Sequence, residues 1–202
     1  MKTHNLLYHK INRLATKLNN NIHPKHRIIQ YYKFFKDNIN ENSNVLEIGC
    51  SIGVLAFELS KKASLVYAID INKKSIEFAK KKFYRPNIKY IHANIMDFKF
   101  EEKFDFAILS NVLEHIEERI KLLERIRDNC NIVLVRVPMI NRSWLPLYKK
   151  ELGLEYRLDP THYTEYTYNS FKTEIESAGL YIIDYSIQFG ELWAKISSKL
   201  EE

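Results

Sequence analysis

Four sets of residues in this chain have the types and spacing to do chemistry. Gly49, Ser51 and Gly53, with Cys50 among them, close the apolar run that begins at Val45. A glycine turn between a strand and a helix leaves bare backbone N–H groups beside a helix N-terminus, which suits a nucleotide-like ligand. Gly49 can take a φ that other residues avoid, and Gly53 allows the following helix to come close. Asp70 ends a second apolar run, 17 residues beyond Gly53. An acidic side chain there can accept hydrogen bonds from two ribose hydroxyls, or can cap the helix that begins in Asn72-Lys73-Lys74-Ser75. Glu47 lies inside an apolar strand, where a carboxylate needs a cationic or hydrogen-bonded partner to offset burial. His162, and after it His115, are candidate general bases for a hydroxyl, with Asp159, Glu165 or a tyrosine to orient either ring. Each histidine also has a plainly structural reading, as a loop residue or a packed helix residue.

These residues need a scaffold, and the chain supplies a regular one from Val45 onward. Apolar runs at 45–49, 65–70, 88–92, 104–109 and 132–137 read as strands. Helical patterns come after them at 53–62, 73–83 and 112–128, while a loop and short turn succeed the third strand. Such βα alternation predicts a parallel sheet with helices on both faces. A helix over 168–178 ends at Gly179, and strands at 180–188 and 191–197 are joined at Phe189-Gly190. Their closeness demands a hairpin, so the last strand is antiparallel. The expected fold is thus α/β, Rossmann-like, with a seven-stranded, mostly parallel sheet and an antiparallel last strand. Ahead of it, residues 5–18 place Leu7, Ile11, Leu14 and Leu18 on one helical face. A second helix is expected from Pro24, with Ile28, Tyr31, Tyr32, Phe35 and Ile39 on its apolar side, ended by the Asn-rich 38–44. The expected division is a helical cap at 1–44 over the sheet edge or the ligand mouth, and one domain at 45–202.

Residues 138–166 interrupt the rhythm with Trp144, Tyr148, Tyr156, Tyr163 and Tyr166 among Arg142, Lys149, Lys150 and Arg157. A long aromatic and basic excursion after a sheet strand reads as a lid or a substrate-side insertion. Trp144, Lys150, Arg157 and Tyr163 are its candidate acceptor contacts, the cations for a phosphate or carboxylate.

Composition bounds the rest. The 202 residues, 46% hydrophobic and 13% aromatic, suffice for one domain with a real core. No run of ~18 apolar residues predicts a membrane span, and the first twenty residues lack the apolar stretch of a signal peptide. Cys50 and Cys130 have no metal-ligand spacing and need not pair, so no metal is expected and a cytoplasmic setting is the simplest. The net charge of +6 is concentrated in residues 1–44, which carry eight Lys/Arg against two Asp/Glu, while the remainder is balanced. A basic amino-terminal helix is either a solvated face or a contact for nucleic acid or an anionic membrane.

Taken together, VLEIGCSIG (45–53), AIDIN (68–72), HANIMDF (92–98), FDFAILSNVLEHI (104–116) and the closing hairpin resemble the successive motifs of class I S-adenosylmethionine-dependent methyltransferases, from Val45 to about Ser197. The outer segments 23–35 and 136–167 resemble those of a bacterial and archaeal methyltransferase group associated with glycan and cell-surface biosynthesis. The resemblance implies S-adenosyl-L-methionine as cofactor. It puts Glu47 near the methionine ammonium, and Gly49, Cys50, Ser51 and Gly53 under methionine and ribose. Asp70 would hold the ribose, Ile71 would flank the adenine, and Asn94 with Ile95 would face its amino edge. Ser110 and Asn111 would stand beside the reactive methyl. The chain departs from the family pattern at Ser51, where a glycine is usual, and at Asn94, where Asp is common. The function implied is methyl transfer to a small-molecule or glycan-type acceptor at a hydroxyl, the acceptor anionic if the Arg and Lys residues engage it.

Three rival readings differ in testable ways. A nicotinamide-dependent oxidoreductase predicts G-x-G-x-x-G and a parallel last strand, and the sequence has neither. A non-catalytic, cofactor-binding partner subunit is compatible with Ser51 and Asn94. For a nucleic-acid methyltransferase, the basic amino-terminal segment speaks in favour, whereas the absence of an Asn/Asp-Pro-Pro-aromatic motif after the fourth strand speaks against base-flipping amino methylation.

Overall fold

The computed structural model describes residues 2–19, 24 and 28–199. By their contacts these fall into two units, Met1–Phe34 and Phe35–Glu202. In the first, α1 (Lys2–Leu18) carries Leu7, Ile11, Leu14 and Leu18 on one exposed face. The start expected for a second helix around Pro24 lies outside the described residues, apart from Pro24 itself. The helix found near the end of that stretch is shorter than expected. Gln30 takes a left-handed φ of 52°, which breaks the i→i−4 ladder, and α2 spans only Lys33–Asn38. Phe35 of α2 is fully buried against Trp193, with ring centroids 5.9 Å apart.

The second unit is a seven-stranded sheet in the order β3-β2-β1-β4-β5-β7-β6. Its strands are β1 (Asn44–Ile48), β2 (Leu65–Asp70), β3 (Ile88–His92), β4 (Phe104–Ser110), β5 (Cys130–Pro138), β6 (Tyr181–Gln188) and β7 (Glu191–Ser197). The first five pair in parallel, and β7 runs antiparallel to both β5 and β6. The antiparallel strand is therefore inserted inside the sheet, with β6 at the edge. Helices α3 (Val54–Leu59), α4 (Lys73–Lys82), α5 (Arg119–Asn129), α6 (Trp144–Glu151) and α7 (Tyr168–Ser177) complete the unit. The central strands read as apolar runs because both faces are covered, and Val45, Leu46, Val66, Ala107, Leu109, Val135 and Ala194 are all fully buried. Strand order reverses between β1 and β4, so the crevice beyond their carboxyl ends is the switch point at which such sheets take ligands.

One expectation fails where it matters for function. The helix expected over 112–128 is a single 3₁₀ turn, Leu113–His115, succeeded by α5. Asn111 enters that turn with a left-handed φ of 56°. The Glu114 carbonyl accepts the Tyr163 N–H at 2.8 Å instead of a helical amide four residues on. A tertiary bond thus displaces the local pattern.

The segment 138–166 is clamped at its base. The Met139 N–H bonds the Gly190 carbonyl at 2.9 Å, and the Ile140 N–H bonds the Tyr166 carbonyl at 2.9 Å. Gly190, at φ +73°, turns the β6–β7 hairpin directly beneath Arg142. An added Cβ would land on Arg142 Cβ and lie 2.7 Å from Arg142 Cα. Gly190→Ala should therefore destabilise the protein by ~2–4 kcal/mol, from left-handed strain plus overpacking against backbone. Urea denaturation checks this, and an unchanged midpoint would mean the hairpin is not the anchor of the segment.

Candidate active site

The glycine loop is built from β1 and braced by β2. The Gly49 and Cys50 N–H groups both bond the Ile69 carbonyl, at 2.8 and 3.0 Å. Asp70 then reaches across. Its Oδ2 accepts the Ser51 N–H at 2.7 Å, and its Oδ1 accepts the Asn72 N–H at 2.7 Å. Asp70 does not cap α4, because Asn72 does so, with its Oδ1 accepting the Ser75 N–H. Each Asp70 oxygen keeps lone-pair capacity for a further donor such as a ribose hydroxyl. Ser51, in the family's glycine position, holds a left-handed φ of 48°, and the Asp70 bond steadies that conformation. Close packing fixes Gly49: an added Cβ would lie 2.5 Å from Val112 Cγ2. The loop therefore rests on the residues just after β4.

Glu47 is buried at the end of β1, and its Oε2 has no hydrogen-bond partner. Burial, reinforced by the nearby charge of Asp70, pushes its pKa up to about 8, opposed by a hydrogen bond from the Ala56 backbone. A buried carboxyl with an orphaned oxygen is a standing receptor for a cation. Ile71 is 69% exposed at the same rim, while Ile95 is buried beneath it in the core. Asn94 is exposed, and its side-chain oxygen accepts the Met96 N–H at 3.0 Å, closing its own turn. Cys50 is buried, with its thiol pushed upward by burial and by Glu47, so it is packing and not a nucleophile.

At the end of β4, Ser110 and Asn111 are half-buried. The Asn111 Oδ1 accepts from Arg136 Nε at 2.9 Å, and its N–H bonds the Arg136 carbonyl at 2.8 Å. Arg136 is fully buried on β5, lies 5.1 Å over the Trp193 ring and pairs with Glu191 at 3.1 Å. Burial lowers its pKa to about 9, opposed by Glu191, so it stays a cation at neutral pH. Arg136 and Glu191 were not singled out from the sequence. The signal was present, as a charge inside the apolar run IVLVRV, of the same kind that marked Glu47.

Beside the β4 turn stands a cluster of titratable groups. His115 and His162, 47 positions apart, meet edge to face with ring centroids 4.5 Å apart. His162 is buried, and its Nδ1 lies 3.1 Å from Glu165 Oε1. Glu165 is held in turn by Arg142 and the Leu158 N–H. His115 Nδ1 lies 2.9 Å from Thr161 Oγ1, which donates to Asp159 Oδ1 at 2.7 Å. Of the orienting groups offered by the sequence, Glu165 contacts the His162 ring directly and Asp159 reaches the His115 ring through Thr161. Burial, then the neighbouring His162, lowers the His115 pKa, against Asp159 and Thr161. Its imidazole is neutral near pH 7. Glu114 joins the cluster. It is fully buried, neither carboxyl oxygen has a hydrogen-bond partner on another residue, and burial raises its pKa to about 8, opposed by its own backbone amide and reinforced by Glu191 and Glu165.

The cations of the insertion are largely occupied inside the chain. Arg157 pairs with Glu155 and donates to the His162 carbonyl at 2.8 Å, and Arg142 braces Glu165, Met139 and Tyr156. These guanidinium groups are struts of the segment. Lys150 is exposed with its ammonium 5.5 Å from the Tyr156 ring centroid, Lys149 is buried, and Trp144 and Tyr163 are exposed. A separate cleft of about 380 Å³, lined by Asn40, Ser43, Asp105 and Asn131 among others, opens at the amino ends of β1 and β4, away from this rim.

Fold and site define an α/β protein that takes a nucleotide-like ligand at the switch point of a sheet carrying one antiparallel strand. Comparison with known proteins makes this specific, since residues 45–131 match the family profile described as "Methyltransferase domain". NodS, an N-methyltransferase of Bradyrhizobium japonicum crystallised with S-adenosyl-L-homocysteine, superposes with a TM-score of 0.63, covering 86% of each chain at 16% identity. Magnesium protoporphyrin IX methyltransferase from Synechocystis superposes at 0.64, covering 87% of this chain and 83% of that one at 18% identity. In sequence, the mitochondrial ubiquinone biosynthesis O-methyltransferase of Schizosaccharomyces pombe is 28% identical over 50% of this chain and 40% of its own length. An rRNA adenine N-6-methyltransferase of Limosilactobacillus reuteri is 33% identical over 46% of this chain and 38% of its own. The chain spans about two fifths of the length of these curated relatives. Residues 45–131 thus carry a methyltransferase-domain profile, and the fold is that of solved S-adenosylmethionine-dependent methyltransferases. The residues present fit that cofactor: an orphaned buried carboxyl for a cationic end, a carboxylate-braced loop for a ribose, and an exposed apolar side chain at Ile71 for a base. Among the described residues no helix is long and apolar enough to cross a membrane.

Glu47 makes a pH prediction. Below its ordinary value of 4.5 both folded and unfolded chains hold the proton. Between 4.5 and about 8 only the unfolded chain releases it, so stability falls as pH rises, and above about 8 the loss is complete. The cofactor-free Glu47→Gln variant should lose ~1–3 kcal/mol less stability than wild type between pH 5.5 and 8. Urea titrations at the two pH values measure this; equal losses would mean the Glu47 carboxyl is not held protonated.

Proposed function

We propose that this protein transfers a methyl group from S-adenosylmethionine to a hydroxyl of a small-molecule or glycan-type acceptor. The observation that carries this reading is the meeting, through Gly49 and Val112, of the 49–53 loop with the turn that bears His115, against which His162 of the insertion packs. When bound, the cofactor supplies an electrophilic methyl on a sulfonium whose leaving group is neutral. Glu47, Asp70 and Ile71 are its holding residues. Ser110 and Asn111 line the side facing the acceptor, with Asn111 fixed by Arg136. Because the leaving group needs no acid, the protein's task is to align the nucleophile and remove its proton. The two braced imidazoles are the groups that prepare the hydroxyl. Its oxygen forms the new bond to carbon as the carbon–sulfur bond breaks, the pair staying on sulfur. Trp144, Lys150 and Tyr163, exposed on the insertion, are offered as acceptor contacts, and two buried unpaired cysteines suit a cytoplasmic setting.

A second reading has its own support. The charge of residues 1–44 and the match to rRNA methyltransferases favour a nucleic-acid acceptor. Transfer of labelled methyl from S-adenosylmethionine to a panel of sugars, sugar nucleotides and phenols, beside ribosomal RNA, separates the two.

Two variants test the division of labour. Asp70→Ala should weaken S-adenosylhomocysteine binding by ~1–3 kcal/mol in calorimetry, and NAD should not bind at all. His162→Ala should leave that affinity within about threefold while lowering turnover by ~10²–10⁴ on a hydroxyl acceptor. Normal turnover in His162→Ala would make the ring structural.

A further inference from the structure

We propose that Glu114, His115 and His162 form a site for a divalent cation of the zinc and manganese class, which holds the acceptor hydroxyl. This deepens the methyl-transfer reading and rests on it for the cation's role, but not for its binding. The three side chains each offer one ligand atom, and these atoms all lie within 4.8 Å of one another. Metal bonds of ~2.0–2.2 Å place ligand atoms ~3–3.5 Å apart, so the set has to contract by ~1–2 Å. No hydrogen bond from another residue restrains either oxygen of the Glu114 carboxyl, which leaves it room to do so.

The surroundings prepare these groups as ligands. Each ring engages a polar oxygen through Nδ1, His162 with Glu165 and His115 with Thr161, which leaves Nε2 as the free nitrogen on both. That is the outer arrangement by which metal-binding histidines are fixed in tautomer and orientation. Its outer layer is itself braced, Glu165 by Arg142 and the Leu158 N–H, and Thr161 by Asp159. The bond from the Tyr163 N–H to the Glu114 carbonyl pins the loop that carries His162 onto the turn that carries the other two.

Glu114 is the independent sign that a ligand belongs here. A fully buried carboxyl with two unpartnered oxygens is costly to fold around, and a cation offsets that cost. Two imidazoles and one carboxylate suit zinc, manganese, iron or cobalt, and three protein ligands leave positions open for an oxygen of the acceptor. His115 keeps one side open to solvent, giving a way in. There the cation would make the hydroxyl more acidic and its proton would leave to water, so that the two imidazoles prepare the hydroxyl as ligands of the cation and not as bases themselves.

The test uses the full-length protein stripped with chelator. Titration with Co²⁺, monitored by its visible absorption, and calorimetry with Zn²⁺ should each show one site. Glu114→Gln, His115→Ala and His162→Ala should each weaken it by at least the ~10–100-fold that loss of an outer partner costs. Glu114→Gln keeps the size and shape of the buried side chain and His115→Ala removes a partly exposed ring, so both should fold, which circular dichroism checks. Binding of S-adenosylhomocysteine is measured on the same stripped samples. Absence of Co²⁺ and Zn²⁺ binding at millimolar metal, or binding unchanged in the three variants, overturns the site whether or not S-adenosylhomocysteine binds. Metal binding lost in the variants, in protein that fails to bind S-adenosylhomocysteine, keeps the site and overturns the methyl-transfer reading.

Discussion

Two carboxyl groups buried without a full set of partners, Glu47 and Glu114, are the constraint around which this rim is arranged. Burial makes each a poor anion, with a pKa near 8, and neither is neutralised by a neighbouring arginine hydrogen-bonded to it. Contrast Arg136 and Glu191, also buried, which face one another at 3.1 Å. The fold thus satisfies a buried charge where structure alone requires it, and leaves two acids unsatisfied at the carboxyl ends of β1 and β4. A protein interior tolerates that cost where a ligand offsets it.

Around those acids the rim is held by bonds between segments distant in sequence. Asp70 of β2 fixes the loop after β1. Arg136 of β5 fixes Asn111 after β4. Glu165 fixes His162, and Arg142, seated on the β6–β7 turn, fixes Glu165. The insertion is therefore tied into the sheet at its base and into the β4 turn at its far end. Its guanidinium groups are spent on that bracing, while Trp144, Tyr148 and Tyr163 stay exposed on its surface.

Much of this was legible in the chain. Apolar runs and period-3.6 patterning placed the strands and most helices of the body, because the central strands of a sheet buried on both faces admit only continuous apolar runs. The short Phe189-Gly190 connection required the antiparallel last strand, since two residues cannot support a parallel crossover. The glycine spacing and the two acids at the strand ends marked the loop after β1 as the candidate for a ligand, because few side chains tolerate such turns or such burial.

Tertiary structure alone decided the rest. Residues 112–118 carry a helical pattern, yet one bond from the Glu114 carbonyl to Tyr163 turns them into a 3₁₀ turn and an extended link. That loop closure brings His162 to Glu114 and His115 across 47 positions, a pairing no local spacing encodes. Asp70 reads equally as a ribose ligand or as a cap for α4, and the structure gives the cap to Asn72 while the Ser51 amide draws Asp70 to the loop. Periodicity reports which face of an element meets the core. It says nothing of which polar groups from separate elements will find one another there, because that depends on angles and distances set only when the sheet has twisted and the insertion has been clamped upon it.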